Sequence, residues 1–159
     1  MTLCWTARRS VSVVATLCAT LAMTGAQQPL DSPRVWQADV SVQTLEVTAL
    51  KRGGPVTARV VVATGNEAAR DVRLEILLPV GVGVLRVSEL CRASQSPVVS
   101  LSARVSCALG DMPVRALREL TVTTSGTTVP DARLQFAAFV FSDTPDPVPG
   151  NNFAERALP

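Results

Sequence analysis

Residues 55–79, PVTARVVVATGNEAARDVRLEILLP, decide the fold, because apolar and polar side chains alternate in two runs with a turn between them. A period of two places every second side chain on one face of a β-strand. The residues TGNEA, 64–68, supply the turn, since Gly and Asn tolerate tight backbone conformations. The side chains predicted to face the core are Val56, Ala58, Val60, Val62, Val72, Leu74, Ile76 and Leu78.

The same alternation continues over residues 38–159, and no segment there has a helical period. Turn sequences rich in Gly, Pro, Asn and Asp separate the runs, and GDMP at 110–113 is one of these predicted turns. Seven or eight short strands at such spacings are typical of an all-β fold, an immunoglobulin-like antiparallel β-sandwich. The further predicted strands are 38–47, with a bulge between Val42 and Leu45, 98–107, 117–124, 132–142 and 152–158.

The N-terminal residues 1–26 have the composition of a secretory signal peptide. Arg8 and Arg9 precede an apolar run at 11–23, and small residues lead to a predicted cleavage after Ala26. An uncleaved membrane anchor is the alternative, although the run is short for a membrane span. Residues 27–37 are polar, contain two prolines and are predicted to form a flexible lead-in, so the predicted sandwich domain is 38–159.

The charge pattern argues against nucleic-acid binding. The chain has 15 basic and 13 acidic residues, and the predicted leader contains two of the basic ones, Arg8 and Arg9, and no acidic residue. The part after the leader is therefore formally neutral, without the basic surface that nucleic acids require. Lys51 is the only lysine, so no polybasic membrane patch is predicted and the membrane enters only through an uncleaved leader.

Two cysteines, Cys91 and Cys107, lie outside the predicted leader. An even pair in an exported chain predicts a disulfide, with two free buried thiols as the alternative. Cys107 falls on the apolar parity of the strand 98–107, so its sulfur is predicted to point toward the core. Together with the leader, this pair predicts a secreted protein, either periplasmic or extracellular.

The segment ARLQFAAFVFS, 132–142, is apolar on both parities. One interpretation is a central strand that is covered on both sides. The other is an outer face at Phe139 and Phe141 that binds a partner.

The segment SDTPDPVPGNNFAER, 142–156, combines acidic, amide and proline residues. Prolines exclude the loop from a strand ladder, and the asparagines can bond to nearby backbone groups, so a turn before the last strand is predicted. A calcium site is the weaker alternative, because carboxylate and amide oxygens are the ligands that calcium prefers. Its ligands would be Asp143, Asp146, Asn151 and Asn152.

Four pieces in this order carry a resemblance to a known family: ADVSV at 38–42, residues 61–82 with a Gly-Asn turn and Leu-Pro-Val-Gly, the cysteine-containing stretch 91–124, and DPVPGNN at 146–152. The chain resembles the family called domain of unknown function eleven over about residues 38–158. Members of that family are immunoglobulin-like repeats of prokaryotic surface and secreted proteins. The resemblance implies a structural or adhesive module without catalytic residues, here in a single copy.

The residue inventory gives no catalytic site. The chain has no histidine, which excludes Ser-His and Cys-His nucleophiles, and it contains no Gly-rich phosphate loop. We therefore expect no enzyme, no cofactor and no small-molecule substrate. The first functional hypothesis is a structural or interaction module of the cell envelope with a protein partner. The alternative is a soluble periplasmic binding or chaperone-like sandwich that docks a partner strand or hydrophobic segment.

Overall fold

In a computed structural model of this protein, the described residues form nine β-strands in two antiparallel sheets. The structure describes residues 36–51, 53–94, 103–126 and 134–158. The predicted signal peptide, its cleavage site at Ala26 and most of the predicted lead-in lie outside the described residues. The strands are β1 (Val40–Ala49), β2 (Val56–Thr64), β3 (Ala69–Leu77), β4 (Val84–Val87), β5 (Cys91–Ser94), β6 (Arg104–Met112), β7 (Leu117–Thr124), β8 (Leu134–Phe141) and β9 (Phe153–Leu158).

The predicted antiparallel β-sandwich is confirmed. The first sheet has the order β1-β2-β7-β4 and the second has the order β5-β6-β3-β8-β9. The first order matches the four-stranded sheet of immunoglobulin-like domains, and β3-β8-β9 matches its three-stranded partner. Strands β5 and β6 form an additional hairpin beside β3.

The strand count exceeds the predicted seven or eight because β4 and β5 have only four residues each. Four residues contain too few alternations to distinguish a strand from a loop. The two strands of residues 55–79 belong to different sheets, since β2 pairs with β1 and β7 while β3 pairs with β6 and β8. The turn between them therefore carries the chain from one sheet to the other.

The core consists of the facing side chains of both sheets. All eight residues that the alternation of 55–79 places inward are buried, which confirms that prediction. Phe136 on β8 is the largest fully buried side chain, and Val, Leu, Ile and Ala make up most of the rest. The predicted bulge in β1 is also present, as a register shift between Val42 and Thr44.

The prediction of a turn at GDMP was wrong. Gly110, Asp111 and Met112 belong to β6, and the ladder with β3 is interrupted there by register shifts around Val72. Gly110 has a φ of 66° and Asp71 on β3 has a φ of 46°, both in the left-handed region. A glycine inside a strand commonly marks such a bulge, and the sequence signal was misassigned to a turn.

The predicted disulfide between Cys91 and Cys107 is confirmed. The two residues lie directly opposite each other on β5 and β6, with their Cα atoms 3.9 Å apart. Both are buried, and Cys107 points toward the core as its parity predicted. The bond therefore joins two neighbouring strands of one sheet and fastens the short strand β5.

Among the described residues there is no α-helix. It follows that none of them forms a helix that could cross a membrane.

Candidate interaction surfaces

The outer face of β8 is open along the described part of the chain. Leu134, Phe136, Ala138 and Val140 point into the core and are buried. The opposite parity points away from the core, and Phe141 at its end has 48% of its surface exposed. The interpretation of a strand covered on both sides therefore does not hold for this end of β8.

Phe139 is half-buried because an aromatic ring from the next strand packs against it. Phe153 on β9 is directly opposite Phe139, and the centroids of the two rings are 4.7 Å apart with an angle of 36° between their planes. Phe153 itself is 44% exposed. We call Phe139, Phe141 and Phe153 the phenylalanine patch. Aromatic pairs on a sheet surface stabilise strand pairing, but two of these rings also present apolar area to solvent.

Charged side chains border the patch on the side of β3. Arg73 and Glu75 lie opposite Phe141 and Phe139 respectively. Arg73 forms ion pairs with Asp143 at 2.5 Å and with Asp71 at 3.5 Å. Glu75 accepts a hydrogen bond of 3.4 Å from Arg104 on β6. The outer face of this sheet is thus apolar toward β9 and charged toward β6.

Strand β9 is the end strand of its sheet, and in the described structure it pairs with β8 alone. The amide of Val140 donates to the carbonyl of Asn152 at 2.9 Å. Antiparallel pairing alternates along a strand, so the amides of residues 153, 155 and 157 point away from β8. Within the described ranges no hydrogen bond to these outward amides is found, and the phenylalanine patch lies beside this strand edge.

In the loop between β8 and β9, three of the four residues of the calcium hypothesis make hydrogen bonds or ion pairs to different parts of the protein. Asp143 is paired with Arg73, as described above. The two oxygens of Asp146 accept hydrogen bonds from the amides of Val40 at 3.0 Å and Val148 at 2.7 Å. The side-chain amide of Asn151 donates to Asp39 at 2.8 Å. These contacts are those of a turn that is fastened to the start of β1.

The calcium hypothesis for this loop stays a prediction. Within the described ranges, no group of three or more acidic, histidine or cysteine residues is arranged to hold a metal ion. The side-chain oxygens of Asn151 and Asn152 are buried and have no hydrogen-bond partner in the described part of the chain, although both residues remain partly exposed. The turn interpretation explains the position of Asp146, because its carboxylate accepts hydrogen bonds from two backbone amides.

A cleft of about 590 Å³ opens at the end of the sandwich where β1 begins. Four segments meet there: the stretch before β1 that contains Trp36, the β2–β3 turn, the end of β6 with its following turn, and the loop after β8. Trp36 lines the cleft and is 76% exposed. The other lining residues are Glu67, Ala68, Ala69, Arg70, Asp111, Met112, Pro113, Asp143, Thr144 and Pro145.

The cleft is built on an irregular part of the second sheet. The amide of Asp71, whose backbone is left-handed, donates to the carboxylate of Asp111 at 3.0 Å. The amide of Arg70 donates to the hydroxyl of Thr144 at 3.0 Å, which ties β3 to the loop after β8. These hydrogen bonds fix Asp111 and Thr144 in the wall of the cleft.

Sequence reasoning missed two surface residues. Phe153 was included in the last predicted strand, but only the register between β8 and β9 places it on Phe139. Trp36 was included in the predicted lead-in. Its neighbours in the sequence do not indicate that it lies exposed in a cleft. An isolated tryptophan at the border of a strand domain is the one feature that could have drawn attention to it.

Comparisons with known proteins give distant similarities only. No protein-family profile matches the chain, and no curated protein matches it. Among solved structures, the bacterial hydrophobin BslA has a TM-score of 0.41 at 14% identity, covering 78% of this chain and 93% of its own.

Two further solved structures are similar at the same distant level. The ChBD2 domain from Thermococcus kodakarensis KOD1 has a TM-score of 0.34 at 13% identity, covering 65% of this chain and 92% of its own. The major pilin subunit BcpA of Bacillus cereus has a TM-score of 0.38 at 7% identity, covering 76% of this chain and 38% of its own. None of these similarities assigns a family or a function to this chain.

Proposed function

We propose that this protein is a non-catalytic interaction module of the cell envelope or of the secreted fraction, and that it binds a partner protein through the phenylalanine patch. The observation that carries the proposal is the exposure of Phe141 and Phe153 on one open sheet face. Exposed aromatic clusters of this kind are typical of protein interfaces, where aromatic side chains supply much of the binding energy.

The charged residues that border the phenylalanine patch support the proposal that the partner is a protein. The charged half of the face, with Arg73, Glu75 and Arg104, offers partners for hydrogen bonds around the apolar part. An apolar centre with a polar rim is the usual anatomy of a protein–protein interface. We therefore expect the partner to present an apolar strip that is flanked by charges of both signs.

Three features support a location outside the cytoplasm. The disulfide between Cys91 and Cys107 is of the kind that persists in oxidising compartments. The predicted signal peptide leads to the same location, and so does the resemblance to domain of unknown function eleven. The signal peptide and the resemblance remain part of this proposal.

The experiment replaces both exposed rings with aspartate, as F141D and F153D together. The matched control is L117D, because Leu117 is 59% exposed at the start of β7 in the other sheet. Each variant is cross-linked in envelope extracts, and the captured protein is then purified and its dissociation constant measured directly. We expect the double variant to lose at least about tenfold in affinity and L117D to bind normally, since the loss of a central hot-spot residue costs about 2 kcal/mol or more.

Equal affinity of the double variant and the wild type would contradict the proposal. Sedimentation of the purified chain at increasing concentration is the second measurement. It identifies a second copy of this chain as the partner if a dimer forms and the two substitutions abolish it.

A second candidate function, binding by strand addition, is favoured by the position of β9, which pairs only with β8 among the described residues. The outward amides of residues 153, 155 and 157 could pair with a partner strand beside the patch. The substitution A157P removes one outward amide and places a proline ring at the edge, where proline is tolerated. If strand addition operates, A157P weakens binding while the patch stays intact; if side-chain docking suffices, binding is unchanged.

A further inference from the structure

The cleft at the β1 end combines an exposed tryptophan with fixed polar groups. Trp36 keeps 76% of its surface exposed although it lines a concave site of about 590 Å³. An indole that does not pack into the core presents a flat apolar face to a ligand. The alanine and proline side chains around it leave room beside that face.

The polar groups in the wall carry both signs of charge. Glu67, Asp111 and Asp143 supply carboxylates, and Arg70 supplies a guanidinium. Asp143 is already paired with Arg73, and Asp111 accepts the amide of Asp71, so both carboxylates are held in place. Each still has lone pairs that can accept from a hydroxyl. With Asp143 neutralised by Arg73, the two remaining carboxylates exceed the one guanidinium, so the wall disfavours an anionic ligand and offers acceptors to a ligand with many hydroxyls.

We infer that this cleft binds one pyranose unit of a neutral glycan, with Trp36 as the stacking platform. A pyranose ring has an apolar face of C–H groups, which packs on an indole, and hydroxyls around its rim, which bond to carboxylate and guanidinium groups. The site performs binding and no glycoside cleavage. It is separate from the phenylalanine patch, and it goes beyond the proposed binding of a partner protein.

Intrinsic fluorescence reports on this site directly. The chain has two tryptophans, Trp5 and Trp36, so W5F in the full chain leaves Trp36 as the only one. This variant is titrated with cellotetraose and with chitotetraose, and with sorbitol as a hydroxyl-rich control that has no ring. We expect a saturable blue shift with at least one tetrasaccharide and no shift with sorbitol, because stacking removes the indole from water.

Substitutions test whether the tryptophan carries the binding. We expect W36A to lower the affinity for the tetrasaccharide, measured by calorimetry, at least about tenfold, since most of the buried apolar area is lost. W36F should retain an intermediate affinity. The matched control is L50A, because Leu50 is 98% exposed at the other end of β1, and it should bind as the wild type does. Equal thermal midpoints of these variants and the wild type show that the fold is retained.

Three results would overturn the inference. They are an unchanged emission with both tetrasaccharides up to tens of millimolar, an affinity of W36A equal to that of the wild type, or a saturable shift with tetramethylammonium and none with sugars. The variant F141D/F153D should bind the tetrasaccharide normally. Failure of the sugar experiment therefore leaves the proposed protein interface unaffected, and the reverse is also true.

Discussion

Arg59 on β2 connects three strands of the first sheet on its outer face. Its guanidinium donates two hydrogen bonds of 2.7 Å to Glu119 on β7 and one of 3.2 Å to Glu46 on β1. The hydrogen bonds from Arg59 lower the pKa of Glu119 and outweigh the opposing effect of desolvation, and the positive charge of Arg59 lowers this pKa further. All three side chains are well exposed, so the ion pairs contribute little to stability in salt.

The pH dependence of this group has a definite sign. Because the folded pKa of Glu119 lies below its ordinary value of 4.5, its stabilising contribution is present above that value and is lost as the pH falls through the folded pKa. A carbon-13 titration of the Glu119 carboxyl should show the lowered pKa, and R59M should return it toward 4.5. R104M on the other sheet is the control, and an equal effect of both substitutions would contradict the assignment.

Gly110 tests the cost of a left-handed backbone without steric interference. A Cβ at Gly110 would meet no heavy atom within 4 Å, yet φ is 66°. We expect G110A to cost about 1–2 kcal/mol in denaturant unfolding, from the backbone conformation alone. The control is G150A, where there is equally open space and no such φ. That change should be neutral or stabilising by about 0.5 kcal/mol, and equal effects of the two substitutions would refute the bulge at Gly110.

At the scale of elements, the hairpin β5–β6 depends on its disulfide. Strand β5 has four residues and lies at the end of its sheet, and residues 95–102 after it are outside the described structure. Short end strands contribute little pairing energy of their own. The covalent bond from Cys91 to Cys107 therefore holds a strand that its hydrogen bonds alone would hold weakly.

Removing the disulfide should cost about 3 kcal/mol, because the bond closes a loop across a sequence separation of 16 residues. The test is urea unfolding of C91A/C107A beside the wild type with and without reductant. Hydrogen exchange should show that protection is lost first in β5, while the β3–β8 pairing keeps its protection. An unchanged urea midpoint, or a uniform loss of protection in all strands, would contradict this description.

At the scale of the whole molecule, stability comes from the packing of the two sheets. Phe136 is the largest side chain in an interior that otherwise contains mainly aliphatic residues. Its ring is fully buried, whereas Phe141, five residues further along the same strand, is half-exposed. Phenylalanine therefore packs in the core at position 136 and lies on the surface at position 141.

We expect F136A to lower the free energy of unfolding by about 3–5 kcal/mol, since it removes a fully buried ring and leaves a cavity. F141A should cost less than about 1 kcal/mol, because its ring is already in contact with water. The measurement is denaturant unfolding of both variants, with F136L as an intermediate substitution. Comparable losses in F136A and F141A would show that the phenylalanine patch is covered rather than exposed.

The sequence by itself determined the fold class, the inward residues of 55–79 and the disulfide, because strand alternation and cysteine count are local properties. It could not separate a turn from a bulge at Gly110, since glycine suits both conformations. Only the tertiary structure placed Phe153 on Phe139 and brought three distant segments to Trp36. Which surfaces meet depends on register and on the order of strands in each sheet, and these are set by long-range packing that no short stretch of sequence contains.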